Sequence, residues 1–229
     1  MPYLVFLLTL AFAGSTLWVP DFGGFDPDAF PVPQDDPAVQ PAGYAFAIWG
    51  VIYLWLLASA GFGVIARRDA PDWAPMRPAL AVSLVVGAIW LPAAVLSPVL
   101  ATVLIWAMLI PALVALARAP VLDRAWALWP IGLYAGWLSA ASCVAVGLLL
   151  AGFGGVDETT TALVMIAIAA ALAVVVQRRA MGAPTYGIAV IWAFVAIAVA
   201  APSPLVLAWA LAAAGIVALP TVQAVRRGA

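Results

Sequence analysis

The sequence predicts an all-α protein, a polytopic bundle of membrane helices, and three observations carry that reading. Of its 229 residues, 67% are hydrophobic and only 8% charged, whereas soluble domains carry about a quarter charged residues. Apolar stretches recur between Pro, Gly and Arg, each near the roughly 20 residues a helix needs to cross a bilayer. None alternates in polarity as the strands of a membrane barrel do.

Eight spans follow in order: 3–19, 42–65, 79–97, 99–117, 126–152, 160–177, 185–201 and 204–224. The arginines provide an independent check, because positive charge collects in cytoplasmic loops near span ends. They fall in four groups, Arg67, Arg68 and Arg77, then Arg118 and Arg124, then Arg178 and Arg179, then Arg226 and Arg227, and each group follows an even-numbered span. Both termini are therefore expected in the cytoplasm. The ordinary insertion route for apolar helices points to a bacterial inner membrane.

The first span could also be read as a cleaved signal, since small residues at "AFAGS" would suit a peptidase. No basic residue precedes the apolar run, however, so a retained helix is expected. The loop at 20–41 holds Asp21, Asp26, Asp28, Asp35 and Asp36, several prolines and no base. Their spacing does not follow a calcium-binding loop, and a solvated acidic segment is the reading.

What the chain lacks removes whole chemistries. It has no His, no Lys and one cysteine, Cys143. Imidazole metal sites, His-ligated haem and His acid–base catalysis are excluded, and so are Schiff-base cofactors. No Asp, Glu or Arg lies in the middle of a span, which argues against an ion-coupled pump or a voltage sensor. No catalytic residue, metal site or nucleic-acid partner is expected.

Aromatic residues on helical faces are what remain. In span 2, Trp49, Tyr53 and Leu56 lie at i, i+4 and i+7 and so share a face. In span 3, Ser83, Gly87, Trp90 and Ala94 do the same, and in span 5 Tyr134, Trp137 and Ala141. If these faces converge they wall a flat cavity suited to a hydrophobic small molecule. The competing reading is an interfacial aromatic belt, favoured for Trp18, Trp73, Trp126 and Trp129 near span ends. The small pairs Gly136/Ala140 and Ser139/Cys143 are read as helix–helix contacts.

These stretches carry a resemblance. "PAGYAFAIWGVIY" is similar to the Pro-Pro-x-Trp-x-Phe-x-x-x-Trp-x-x-x-Tyr start of helix 2 in the TspO/MBR family, the tryptophan-rich sensory and translocator proteins. Pro41, Tyr44, Phe46, Trp49 and Tyr53 carry that match. "GAIWLP" resembles the family's helix-3 Asn-x-x-Trp-Ser-Pro at Trp90 and Pro92. "YAGWLSAAS" resembles its helix-5 pattern at Tyr134, Trp137, Ser139, Ala141 and Ser142.

The resemblance covers about residues 1–152. It implies a five-helix TspO-like domain with 20–41 as a lid, followed by three further transmembrane helices over 153–229. It also implies a membrane binding or sensory protein for a flat hydrophobic ligand, most of all a porphyrin or other tetrapyrrole. Porphyrin or haem would then be a ligand and not an obligatory cofactor. Tyr44, Phe46, Trp49, Tyr53, Trp90, Tyr134, Trp137 and Ala141 are the ligand-binding residues it points to. A facilitator moving such lipophiles, a scaffold subunit partnered through spans 6–8, and light-dependent porphyrin degradation are the alternatives. Membrane lipids are expected neighbours, and a homodimer is left open.

This chain departs from the family at three places. The Phe46-to-Trp49 spacing is one residue shorter, and Gly87 and Ala145 stand where the family has Asn. No sterol-recognition pattern follows span 5.

Overall fold

The computed structural model describes residues 1–17, 19, 23–180 and 182–228, with the side chains of 227 and 228 excepted. Trp18, Asp21 and the side chain of Arg227 lie outside this description. Eight α-helices form at the predicted positions: α1 Pro2–Gly14, α2 Ile48–Ile65, α3 Arg77–Leu96, α4 Pro98–Arg118, α5 Trp129–Gly152, α6 Glu158–Arg179, α7 Pro184–Ala200 and α8 Pro204–Gly228. Among the described residues six helical segments are long and apolar enough to cross a membrane, while Pro2–Leu17 and Pro184–Ala200 are shorter. At 1.5 Å rise per residue the shorter pair reach about 25 Å, somewhat less than the roughly 30 Å hydrocarbon core.

Local chemistry sets the helix ends. Ser97 is extended and its hydroxyl accepts the Leu100 N–H, so the two-residue "SP" turn closes α3 and caps α4 at once. Asp157 caps α6 through the Thr160 N–H. Arg118, Arg178 and Arg179 occupy last turns, where they meet the negative end of the helix dipole. Arg67, Arg68 and Arg77 gather at one end of the bundle, through the Arg67–Asp123 ion pair, the Arg68–Tyr3 hydrogen bond and the bonds Arg77 donates to the Arg67 and Arg68 carbonyls. The acidic loop lies at the other, called here the lid end.

The helix α5 is the axis. It is buried on nearly every face and packs against α2, α4, α6 and α7. Two glycines bring α7 in: a Cβ at Gly132 would meet the Thr185 hydroxyl, and one at Gly136 would enter the Tyr186 carbonyl. The Tyr186 hydroxyl then donates to Ser139. Gly136 and Ser139 thus act as helix contacts, in line with the packing role of small residues. A second staple joins α6 to α7, where buried Gln177 accepts the Gly187 N–H and donates to the Ala180 and Ala183 carbonyls.

Large apolar side chains remain exposed along the outer faces: Leu54 on α2, Val82 and Ile89 on α3, Val103 and Ile110 on α4, Ile168 on α6, Leu211 and Leu219 on α8. In water such a surface would aggregate; in lipid it is the solvated face. The protein is an integral membrane protein.

The predicted aromatic belt needs one correction. Trp73 is 2% exposed, packed over Gly63, and its indole donates to Asp123. Its amphipathic ring is used inside the arginine end, where Arg67 also clamps Asp123 through Nε at 2.7 Å and a terminal nitrogen at 3.0 Å.

Candidate functional site

A cavity of about 60 Å³ lies in the lid half of the bundle. Its floor is the α5 stripe Trp137, Ala140, Ala141, Val144, Ala145 and Leu148, which follows the helical i, i+3, i+4, i+7 repeat. Phe46, Trp49 and Trp90 form the aromatic walls, Ile105 and Ala193 come from α4 and α7, and Gly24, Phe25, Gln40 and Pro41 roof it from the acidic loop.

The start of α2 explains how a shortened motif still aligns its rings. Residues Gly43–Ala47 form a 3-10 turn before α2, and three residues per turn place i and i+3 above one another. Phe46 and Trp49 consequently both meet Trp137 edge to face, with ring centroids 6.0 and 6.2 Å away. The missing residue in the spacing is absorbed by the tighter helix.

Of the eight residues singled out from sequence, Phe46, Trp49, Trp90, Trp137 and Ala141 line this cavity. The other three do not. Tyr53 stacks behind Trp49 at 5.4 Å. Tyr134 is fully buried and shares a 2.8 Å hydrogen bond with Ser83, whose hydroxyl donates to the Met108 carbonyl. Tyr44 is half exposed and meets Trp192 edge to face. These three sit beside the pocket because an aromatic face one turn off its axis packs against a neighbouring helix instead. Phe12 of α1, 5.0 Å from Tyr53 and 5.7 Å from Tyr134, is the ring those two pack against, and Trp192 of α7 is the partner of Tyr44.

The lid is fastened at several points. Phe30 is buried against Gly152, where a Cβ would collide with its ring, and the Val32 N–H donates to the Gly152 carbonyl at 2.8 Å. Val39 packs on Gly147. Gly24 has φ +138°, a conformation open mainly to glycine, and the Gln40 amide lies against it.

Helix α7 takes part, which residue types alone did not reveal. The Trp192 indole donates to the Ala45 carbonyl at 3.0 Å, the Ala42 N–H to the Ala196 carbonyl at 3.1 Å, and Ala193 faces the cavity. The α5 floor could have been found by continuing the Trp137 stripe to Leu148. Nothing in the Ala-rich sequence of α7 singles out Ala193.

Trp90 and Trp137 differ in their polar edges. The Trp90 indole donates to the Ala101 carbonyl across α4 at 2.9 Å. The Trp137 indole N–H is buried with no hydrogen-bond acceptor among the described residues. Among the described residues no Asp, Glu or Arg lines the cavity and no cluster of metal-ligating side chains occurs. The arrangement can stack flat apolar molecules against its rings.

The family described as TSPO-like protein matches residues 33–223. That range runs through α6, α7 and α8, which the sequence motifs had not reached. No curated protein and no solved structure matches the chain.

Proposed function

We propose that this chain, which belongs to the TSPO-like protein family, is a membrane-embedded binding and sensory protein for a flat, ring-bearing lipophile of the tetrapyrrole class. The observation that carries the reading is the convergence of Phe46, Trp49, Trp90 and Trp137 from separate segments onto one cavity floored by small residues of α5. Aromatic walls of this kind are a default site for a hydrophobic ligand. The protein belongs, on this reading, in a bacterial inner membrane with both termini cytoplasmic.

At about 60 Å³ the cavity is well below the roughly 300 Å³ at which small-molecule pockets begin. Binding therefore includes displacement of the roof at Gly24 and Phe25, as the lid's fastening to α5 and α7 by a few contacts allows. Titration of the detergent-purified protein with protoporphyrin IX tests the proposal. Saturable quenching of tryptophan fluorescence at low-micromolar concentration or below, lost in the Trp90→Ala, Trp137→Ala double variant, is expected. Equal quenching in both proteins would refute it.

A further inference from the structure

We infer that the cavity selects an uncharged ligand bearing a hydrogen-bond acceptor on its buried edge, seated on the Trp137 indole N–H, and that the acidic lid works against anions. The inference rests on the proposed reading of the cavity as a ligand site and names the chemistry of what enters it.

The first observation is the donor. Among the described residues three tryptophans are buried below a tenth of their surface: Trp73, Trp90 and Trp137. Trp73 donates to Asp123 and Trp90 to the Ala101 carbonyl. Trp137 lines the cavity, and its N–H, closed off while the roof is in place, has no acceptor among the described residues. Leaving a buried donor without an acceptor is costly, and native structures seldom do so without a reason. A carbonyl, ether, ester or ring nitrogen on the ligand supplies the missing partner.

The second observation is charge. Among the described residues the cavity lining contains no charged side chain, and its polar side chains are the Gln40 amide and the indoles. A carboxylate placed there would lose its water without gaining a cation. At the mouth the charge has the wrong sign for an anion. Gly24 and Phe25 form the roof, Asp26 and Asp28 follow them directly, Asp35 and Asp36 belong to the same loop, and the loop holds no Arg or Lys. Arg67, Arg68 and Arg77 cluster at the far end of the bundle. Within a Debye length of roughly 8–10 Å the lid repels an approaching carboxylate and is indifferent to its ester.

Protoporphyrin IX and its dimethyl ester share one ring system and differ in two carboxylates, which makes them the probes. Each is titrated at low salt against the protein in nanodiscs. Three proteins are compared: wild type, Trp137→Phe, and the surface variant Asp28→Asn, Asp35→Asn, Asp36→Asn. Because all are measured in the same lipid, partitioning of the ester cancels between them.

The ester is expected to bind wild type at least about tenfold more tightly than the diacid. Trp137→Phe should weaken the ester about fivefold, the fold-change for one lost hydrogen bond. Neutralising the lid should tighten the diacid severalfold and leave the ester unchanged. A diacid that binds as well as the ester, a Trp137→Phe protein with undiminished ester affinity, or a neutral lid without effect on the diacid each overturns the inference, while saturable binding itself preserves the cavity reading. Saturable binding of neither probe overturns the cavity reading and this inference with it.

Discussion

The ring of Phe12 lies so close over Gly87 that a Cβ there would come within 2.8 Å of its Cδ2 and Cε2. Gly87 stands where the motif it resembles has an Asn, and the Phe12 ring from α1 leaves no room there for a side chain. Phe12 also meets Trp49, Tyr53 and Tyr134 in one packed cluster.

Restoring the amide should accordingly fail unless the ring is removed. Gly87→Asn alone is expected to destabilise the protein by about 1–3 kcal/mol, the usual cost of overpacking, and Phe12→Ala alone by about 3–5 kcal/mol through its cavity. The double variant should be more stable than the sum of the two losses implies, since each change relieves the other. A thermal-denaturation double-mutant cycle in detergent measures this, and simple additivity would show that the Phe12 ring is not what bars a side chain there.

The seat of α7 on α5 admits no side chain at position 136. A Cβ there collides with backbone of Tyr186, which cannot rotate away, whereas the clash at Gly87 is with side-chain atoms. Gly136→Ala is therefore expected to lower the melting temperature more than Gly87→Ala does. Parallel melts of the two variants decide it, and a Gly136→Ala protein that melts like wild type would mean that the two helices separate without penalty.

These two glycines show how far the sequence could be read. Gly136 was legible as a contact because small residues four apart on an apolar helix have a general packing meaning. Gly87 was legible as a small member of the Trp90 face and as a departure, but not as the seat of Phe12, since what fills the gap comes from α1, 75 positions away. The same distinction explains the site. Phe46, Trp49, Trp90, Trp137 and Ala141 reach the cavity because large rings beside small residues mark a face. Tyr53 and Tyr134 carry the same signature but pack against Phe12, and periodicity cannot tell a wall from the layer behind it. The eight helices were clear because hydropathy and arginine placement are independent and agree, while Trp73 was misread because an indole near a span end looks the same whether it faces lipid or a carboxylate.

At the arginine end, Asp123 accepts from Arg67 and from the Trp73 indole. The Arg67 guanidinium holds its carboxyl below the usual carboxylate range; burial opposes this less strongly, and the Trp73 N–H adds a still smaller lowering. A carboxylate whose folded-state pKa is depressed contributes stability that is fully present above its ordinary pKa, near 4, and is lost as pH falls through the folded value. Arg67 is 39% exposed on its side chain, so solvent screens part of the effect. The melting temperature is expected to be flat from pH 8 to about 5 and to fall below about 4. Asp123→Asn should melt about 2–4 °C lower at pH 7 and lose part of that acid slope. A variant with the same pH profile as wild type would remove Asp123 from the account of acid sensitivity.

The last prediction separates a wall from an appendage. If α6–α8 only docked the protein to a partner, filling a position on α7 would leave ligand binding alone. Ala193 instead faces the cavity from α7 and is 1% exposed, one turn from the carbonyl of Ala196 that holds the Ala42 N–H. Ala193→Leu adds three carbons to a residue that lines a cavity of only about 60 Å³. Weaker binding of a flat porphyrin probe, by about tenfold or more, is expected from loss of room for a ligand whose affinity comes from apolar contact. Trp192→Phe, on the adjacent residue, removes the hydrogen bond to Ala45 without intruding on the cavity, and should weaken binding by less. Quenching titrations of both variants, with melting temperatures to establish folding, make the comparison. A folded Ala193→Leu protein that binds the probe as wild type does would place the ligand elsewhere and return α7 to a purely supporting role.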